Sequence, residues 1–266
     1  MWYAFVAIIR RELLRMLRQR GRLVSALVRP LIWLLIIGTG FEALLSDYGA
    51  GDYRRYLVPG LLGMVLLFGS MLASLSLVYD KEAGVMRMLI MAPWPHSLII
   101  VARTVSATVV GVIQALMLLL VLIPMGLVQW PASVPLFLAG LILGGLVCAA
   151  MGMLIAVFSR TLDNFAVVMN FVIFPVFFLS GALYPLQDLD SAVRFAALLN
   201  PFSYAVDLLK HAMFATAPPL GGADFGVRLD LAVTTGFSIL ALLVACIRFS
   251  SATLRERTAR LLGRRT

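Results

Sequence analysis

Few side chains in this sequence have the type and spacing for chemistry. Asp207 and His211 stand four residues apart. On a helix that spacing puts both on one face, and a carboxylate beside an imidazole is the arrangement of a general acid/base pair. Such a pair would make the chain a membrane-embedded enzyme acting on a lipid. The second histidine, His96, falls in a different loop, across the membrane from His211, so the two can share neither a metal ion nor a catalytic step. Glu42 lies near the outer end of the first apolar run, and Asp163, in "SRTLDNF", precedes the fifth at a helix N-cap position. Cys148 and Cys246 have aliphatic neighbours and lack metal or disulfide spacing. Neither of the two lysines, Lys81 and Lys210, follows the glycines of a G-x-x-x-x-G-K-[ST] phosphate loop. Ionisable groups inside a bilayer are costly and are kept for a reason, and these spans hold almost none. No catalytic residue and no metal site are expected from these spans, and any ATP must be hydrolysed by another subunit.

The elements that would position such residues follow from composition. The chain has 266 residues, of which 62% are hydrophobic and 13% charged, with a mean hydropathy of +0.99, which is the range of membrane proteins. A helix needs roughly 20 apolar residues to cross a hydrocarbon core about 30 Å thick. Six segments qualify, at 26–45, 56–77, 98–127, 134–158, 165–183 and 229–249. The first carries Arg29 and Pro30 near its start, and the third can tilt or break near Pro124. The expected fold is a single all-α membrane domain over 1–266 with six transmembrane helices.

Charge sets the orientation. Most of the 22 Lys and Arg residues fall on the side that holds both termini, whereas the opposite loops carry only Arg54, Arg55, Arg194, Lys210 and Arg228. Basic loops stay in the cytoplasm, so both termini are expected there. The net charge of +9 then reads as attraction to lipid headgroups rather than to nucleic acid.

Three connecting segments carry patterns of their own. Within 1–22, Trp2, Phe5, Ile9, Leu13 and Met16 recur at helical spacing, with Arg11, Arg15, Arg18 and Arg22 on the opposite side. This predicts an amphipathic interface helix with its arginines toward phosphates or a protein partner. The loop 184–228 predicts short or re-entrant helices, one opened by "NPFS" with Phe202, Val206, Leu209 and Met213 on one face. The loop 80–97 predicts a short cytoplasmic helix with Asp80 and Glu82 at its start, Arg87 later, and Val85, Met86, Met88, Leu89 and Met91 as flexible apolar contacts for a partner's cleft. Gly140, Gly144, Cys148 and Gly152, at four-residue spacing, mark a face for close helix approach, within one chain or between two.

At "DKEAGVMRMLIMAP" (80–93) and "FPVFFLSGALYPLQDLD…LLNPFSYAVDLLK" (174–210) the chain resembles the membrane subunits of type-2 ABC exporters, in the branch of small six-helix permeases that includes nodulation-factor and drug-resistance exporters. The resemblance implies a homodimeric permease in a prokaryotic inner membrane, exporting a hydrophobic or amphiphilic compound. It implies ATP–Mg bound by a separate ABC ATPase and no cofactor on this chain. Asp80, Glu82, Gly84, Met86, Arg87, Leu89 and Pro93 would form a coupling helix seated in that ATPase, with the interface helix beside it. Gly181, Pro185, Asn200 and Pro201 would shape an outer gate. Asp80 is followed by Lys81, a departure from the family's acidic-x-Glu pattern.

Overall fold

A computed structural model describes residues 2–18, 20–45, 53–86, 88, 95–128, 131–187, 189–214 and 222–263. Every regular element among them is helical: α1 (Trp2–Arg18), α2 (Arg20–Trp33), a π-helical turn (Leu34–Gly38), α3 (Thr39–Leu45), α4 (Tyr53–Glu82), α5 (His96–Leu122), α6 (Val134–Phe158), α7 (Leu162–Phe178), α8 (Ser191–Leu198), α9 (Pro201–Met213) and α10 (Val227–Gly263). Five helical stretches are long and apolar enough to cross a membrane: Ala26–Leu44, Tyr53–Glu82, His96–Leu122, Val134–Phe158 and Val227–Ser251. The sixth expected span is the shorter apolar helix α7. The chain is an all-α, multi-pass membrane protein.

The centre of the bundle is α4. It is apolar around its whole circumference, which is the pattern of a helix enclosed by others, and Tyr56, Leu57, Leu62, Leu66, Leu67, Met71 and Val78 are all buried. Its largest contacts are with α6 and α5, and α7 and α9 also pack on it. By contrast α2 with the π-helical turn after it, and α10, turn apolar stripes outward, with Val28, Ile32 and Ile36 on the first and Ile239, Leu243 and Ile247 on the second. In a bilayer such stripes suit lipid tails or another membrane helix.

Small residues set the closest approaches. A Cβ on Gly152 would stand 2.8 Å from Ser74 Oγ and 2.9 Å from Met71 Cα, and one on Gly144 would stand 3.2 Å from Leu66 Cδ1. Gly140 meets Leu209 of α9, and Cys148 is buried. The glycine stripe of α6 therefore packs inside the chain. On α4, a Cβ at Gly60 would collide with the carbonyl oxygen of Ala182.

Element boundaries differ from the sequence expectation where capping or breaking residues intervene. The helix through the first span already begins at Arg20, so Pro30 is interior rather than in a first turn, and the ladder re-registers in the π-turn that follows. Helix α5 stops at Leu122, ahead of Pro124. Helix α7 is capped by Thr161, whose hydroxyl accepts from the Asn164 amide. Asp163 is thus a first-turn residue, favoured there by the helix dipole, and not the cap.

Candidate functional site

The segment expected to couple to a partner begins where α4 ends. The helix runs through Asp80 to Glu82, then Ala83 turns and Gly84 takes φ +73 before residues 85, 86 and 88 resume helical geometry. A left-handed residue just past a helix is the usual C-terminal stop, and glycine adopts it without steric cost. Asp80 and Glu82 are accordingly the last turn of α4 and not the start of the short helix.

Two neighbouring residues of that turn fasten it in different directions. The Asp80 carboxylate is buried and accepts hydrogen bonds from Arg103 of α5 and Arg11 of α1. Arg103 is itself only 1% exposed, donates to Ser76 Oγ at 2.9 Å and lies 3.7 Å from Glu12. Lys81 reaches the other way and donates to the carbonyls of Ala156, Val157 and Ser159 at 2.7, 2.9 and 3.1 Å. These are the open carbonyls at the C-terminus of α6, where a cation is favoured. One helical turn thus ties α1, α5 and α6 to α4.

Two arginines of α1 therefore face this chain's own residues, where the sequence suggested phosphates or a protein partner. Arg11 pairs with Asp80 and Glu12 instead of facing phosphate, and Arg15 stands beside Glu12, over the Tyr79 ring at 5.0 Å. Burial works against the Arg11 charge, but hydrogen bonds to Asp80 and Glu12 outweigh it and raise its pKa above the ordinary value. Arg18 is exposed, and the Arg22 side chain lies outside the described residues. Of the apolar contacts expected for a partner, Met86 is buried in this chain's own core while Met88 is 77% exposed. A short helix lying against a bundle buries one face, and Met86 is on it. Glu82 is exposed. Arg87, Leu89, Met91 and Pro93 lie outside the described residues.

The opposite end of α4, marked by Tyr56, is about 36 Å away along the axis at 1.5 Å per residue. There α7 ends, and Gly181 at φ +72 begins the turn toward Pro185. Asn200 caps α9: its Oδ1 accepts from the Phe202 amide at 3.1 Å, its Nδ2 donates to Val176 O at 2.7 Å, and Pro201 follows in the first helical turn. Three of the four residues expected at an outer gate thus fix turns and a cap between α7 and α9.

Beside them lies a buried polar cluster. Asp207 accepts from the amides of Asp224 and Phe225 at 2.6 and 2.9 Å, and Lys210 donates to Asp224 at 2.8 Å under the Tyr56 ring. Burial raises the Asp207 carboxyl despite those amides. His211 Nε2 stands 3.6 Å from Asp207, 3.7 Å from Asp230 and 2.9 Å from the Phe225 carbonyl. His96 is at the other end of the bundle, its ring against Phe249. Glu42 pairs with Arg54, and both cysteines are free.

Sequence reasoning passed over Glu12, Arg103, Asp224 and Asp230. Two of them, Arg103 and Asp230, carried a signal: each is a charge within an apolar helix, which calls for a partner.

Residues 3–214 match the family model described as ABC-2 type transporter. A putative transport permease ycf38 from Cyanophora paradoxa is 26% identical over 212 residues, covering 76% of this chain and 71% of that protein. Nodulation protein J from Rhizobium leguminosarum bv. trifolii is 24% identical over 199 residues, 72% of this chain and 73% of that protein. The probable multidrug ABC transporter permease YbhR from Escherichia coli (strain K12) is 26% identical over 160 residues, 60% of this chain and 44% of that protein.

Proposed function

Because the chain belongs to the ABC-2 type transporter family, we propose that it is the permease of an ATP-driven exporter, worked by a separate ABC ATPase through the segment that follows α4. The observation that carries this reading is the braced last turn of α4. Asp80, Lys81, Arg11 and Arg103 join four helices at the point where the chain leaves for the short helix after Gly84. A push on that helix would reach α1, α5 and α6 together instead of being absorbed by a loose loop. Glu82 and Met88 are exposed and would touch the partner, and Gly84, Met86, Arg87, Leu89 and Pro93 would complete the coupling segment.

The distribution of arginines supports placing that end, with both termini, in the cytoplasm of a prokaryotic cell. Two permease chains would pair in the inner membrane, and ATP–Mg would bind only on the ATPase. The apolar spans suit a hydrophobic or amphiphilic substrate, released past Gly181, Pro185, Asn200 and Pro201. The relatives' names, which include a multidrug permease, fit such cargo. A lipid-acting enzyme built on Asp207 and His211 has less support, since relatives such as the ycf38 protein and YbhR are named as transport permeases.

The test is purification of the tagged chain from its native membrane. A roughly equimolar soluble protein with a phosphate-binding loop is expected to accompany it, and to be lost from the Glu82→Ala, Gly84→Pro double variant while membrane insertion persists. Retention of that protein by the double variant would remove the coupling role from this segment.

A further inference from the structure

The polar cluster at the Tyr56 end of α4 is rich in carboxylates. Asp207, Asp224 and Asp230 gather there with one lysine, Lys210, which is engaged with Asp224. The following stretch, 215–221, reads "ATAPPLG" and brings no cation. Asp230 is the acute case. It is fully buried in the first turn of α10, and neither carboxylate oxygen has a hydrogen-bond partner among the described residues. A buried carboxylate stays charged only when it is paired or binds a metal, and otherwise takes up a proton.

The atoms facing Asp230 supply a donor set. Its carboxylate, His211 Nε2 and the Asp207 carboxylate lie within 4.8 Å of one another, and two of the separations are 3.6 and 3.7 Å. Donors on a tetrahedral zinc ion, at about 2.0–2.1 Å from the metal, stand about 3.4 Å apart. We propose that Asp207, His211 and Asp230 bind a divalent transition-metal cation, zinc or a first-row neighbour, which pins α9 to the first turn of α10.

One imidazole and two carboxylates without a thiolate suit that class of ion, and a dication offsets the charge of both carboxylates. With its proton on Nδ1, His211 offers Nε2 as a ligand. The other tautomer donates to the Phe225 carbonyl and leaves the Asp230 carboxyl facing Asp207 alone. The amides of Asp224 and Phe225 hold the Asp207 carboxylate in place while each of its oxygens keeps a lone pair for the ion. His211, 26% exposed, gives the ion a way in. The inference stands apart from the transport reading.

The experiment uses the full chain in detergent, stripped with a chelator and then given ZnCl2 alone. The wild type is expected to retain about one zinc per chain and to unfold at a temperature that rises with zinc concentration. Asp230→Asn removes a ligand and the unpaired charge together. Its zinc is expected to fall to background, an affinity loss above about tenfold, while its unfolding temperature without zinc is equal to or above that of the wild type. His211→Gln should lose zinc likewise, so the test does not depend on one variant folding, and His96→Gln should keep it. Zinc retained equally by the wild type, Asp230→Asn and His211→Gln would overturn the site as adventitious binding only. A wild-type unfolding temperature indifferent to zinc would also overturn it, leaving a proton shared between Asp207 and Asp230 as the neutralising charge.

Discussion

Arg103 donates to Asp80 across the contact between α5 and α4, with side chains only 1% and 2% exposed. Neither residue could be buried without the other, because a lone charge at that depth is far costlier than the pair. Asp80→Asn should therefore destabilise the protein by about 3–5 kcal/mol, read as a lower unfolding temperature in detergent. Adding Arg103→Gln should recover part of the loss, and a double-mutant cycle showing no coupling between the two sites would contradict the pairing.

Lys81 acts on the neighbouring helix end. Lys81→Met leaves the last carbonyls of α6 without their cation and is expected to cost about 2 kcal/mol, at the level of hydrogen bonds to a charged group. Amide hydrogen exchange should quicken over residues 155–159 more than at the centre of α6. Uniform protection along α6 in the variant would show that the lysine does not hold that end.

Two glycines on helices give a matched contrast. Gly60→Ala drives a methyl group into the Ala182 carbonyl and should cost about 1–3 kcal/mol. Gly236→Ala, in α10 with nothing within 4 Å, should be neutral or stabilise by up to about 1 kcal/mol. Equal unfolding temperatures for the two variants would mean that α4 does not approach the 182 turn so closely.

Asn200 serves α9 and α7 with opposite ends of one amide. Asn200→Ala should cost about 1–2 kcal/mol, from a lost cap and an unpaired Val176 carbonyl. Asn200→Asp keeps the acceptor for Phe202 but not the donor for Val176, so it should fall between the two. If Asp matched Ala, the cap would contribute nothing.

The periodic features of this fold were legible in the sequence, and the pairings between distant residues were not. Long apolar runs declared the spans, and the three- and four-residue spacing of Trp2 to Met16 declared α1. The same arginine pattern could not show that Arg11 turns toward Asp80, 69 residues on, because one helix's periodicity says nothing about what docks against it. Asp207 and His211 stood out as neighbours on one helix face, whereas Asp230 joins them only after a loop folds back. Met86 and Met88 read alike as apolar contacts, and only packing separates the buried one from the exposed one.

The most direct measurement places a photo-crosslinking amino acid at Met88, the exposed apolar residue just beyond the braced end of α4, in the native membrane. Irradiation is expected to join this chain to a soluble protein carrying a phosphate-binding loop, while the same group at Leu240, on the outward face of α10, gives no such adduct. Absence of that adduct from position 88, with the chain correctly inserted, would contradict the account that the segment after α4 seats on an ATPase.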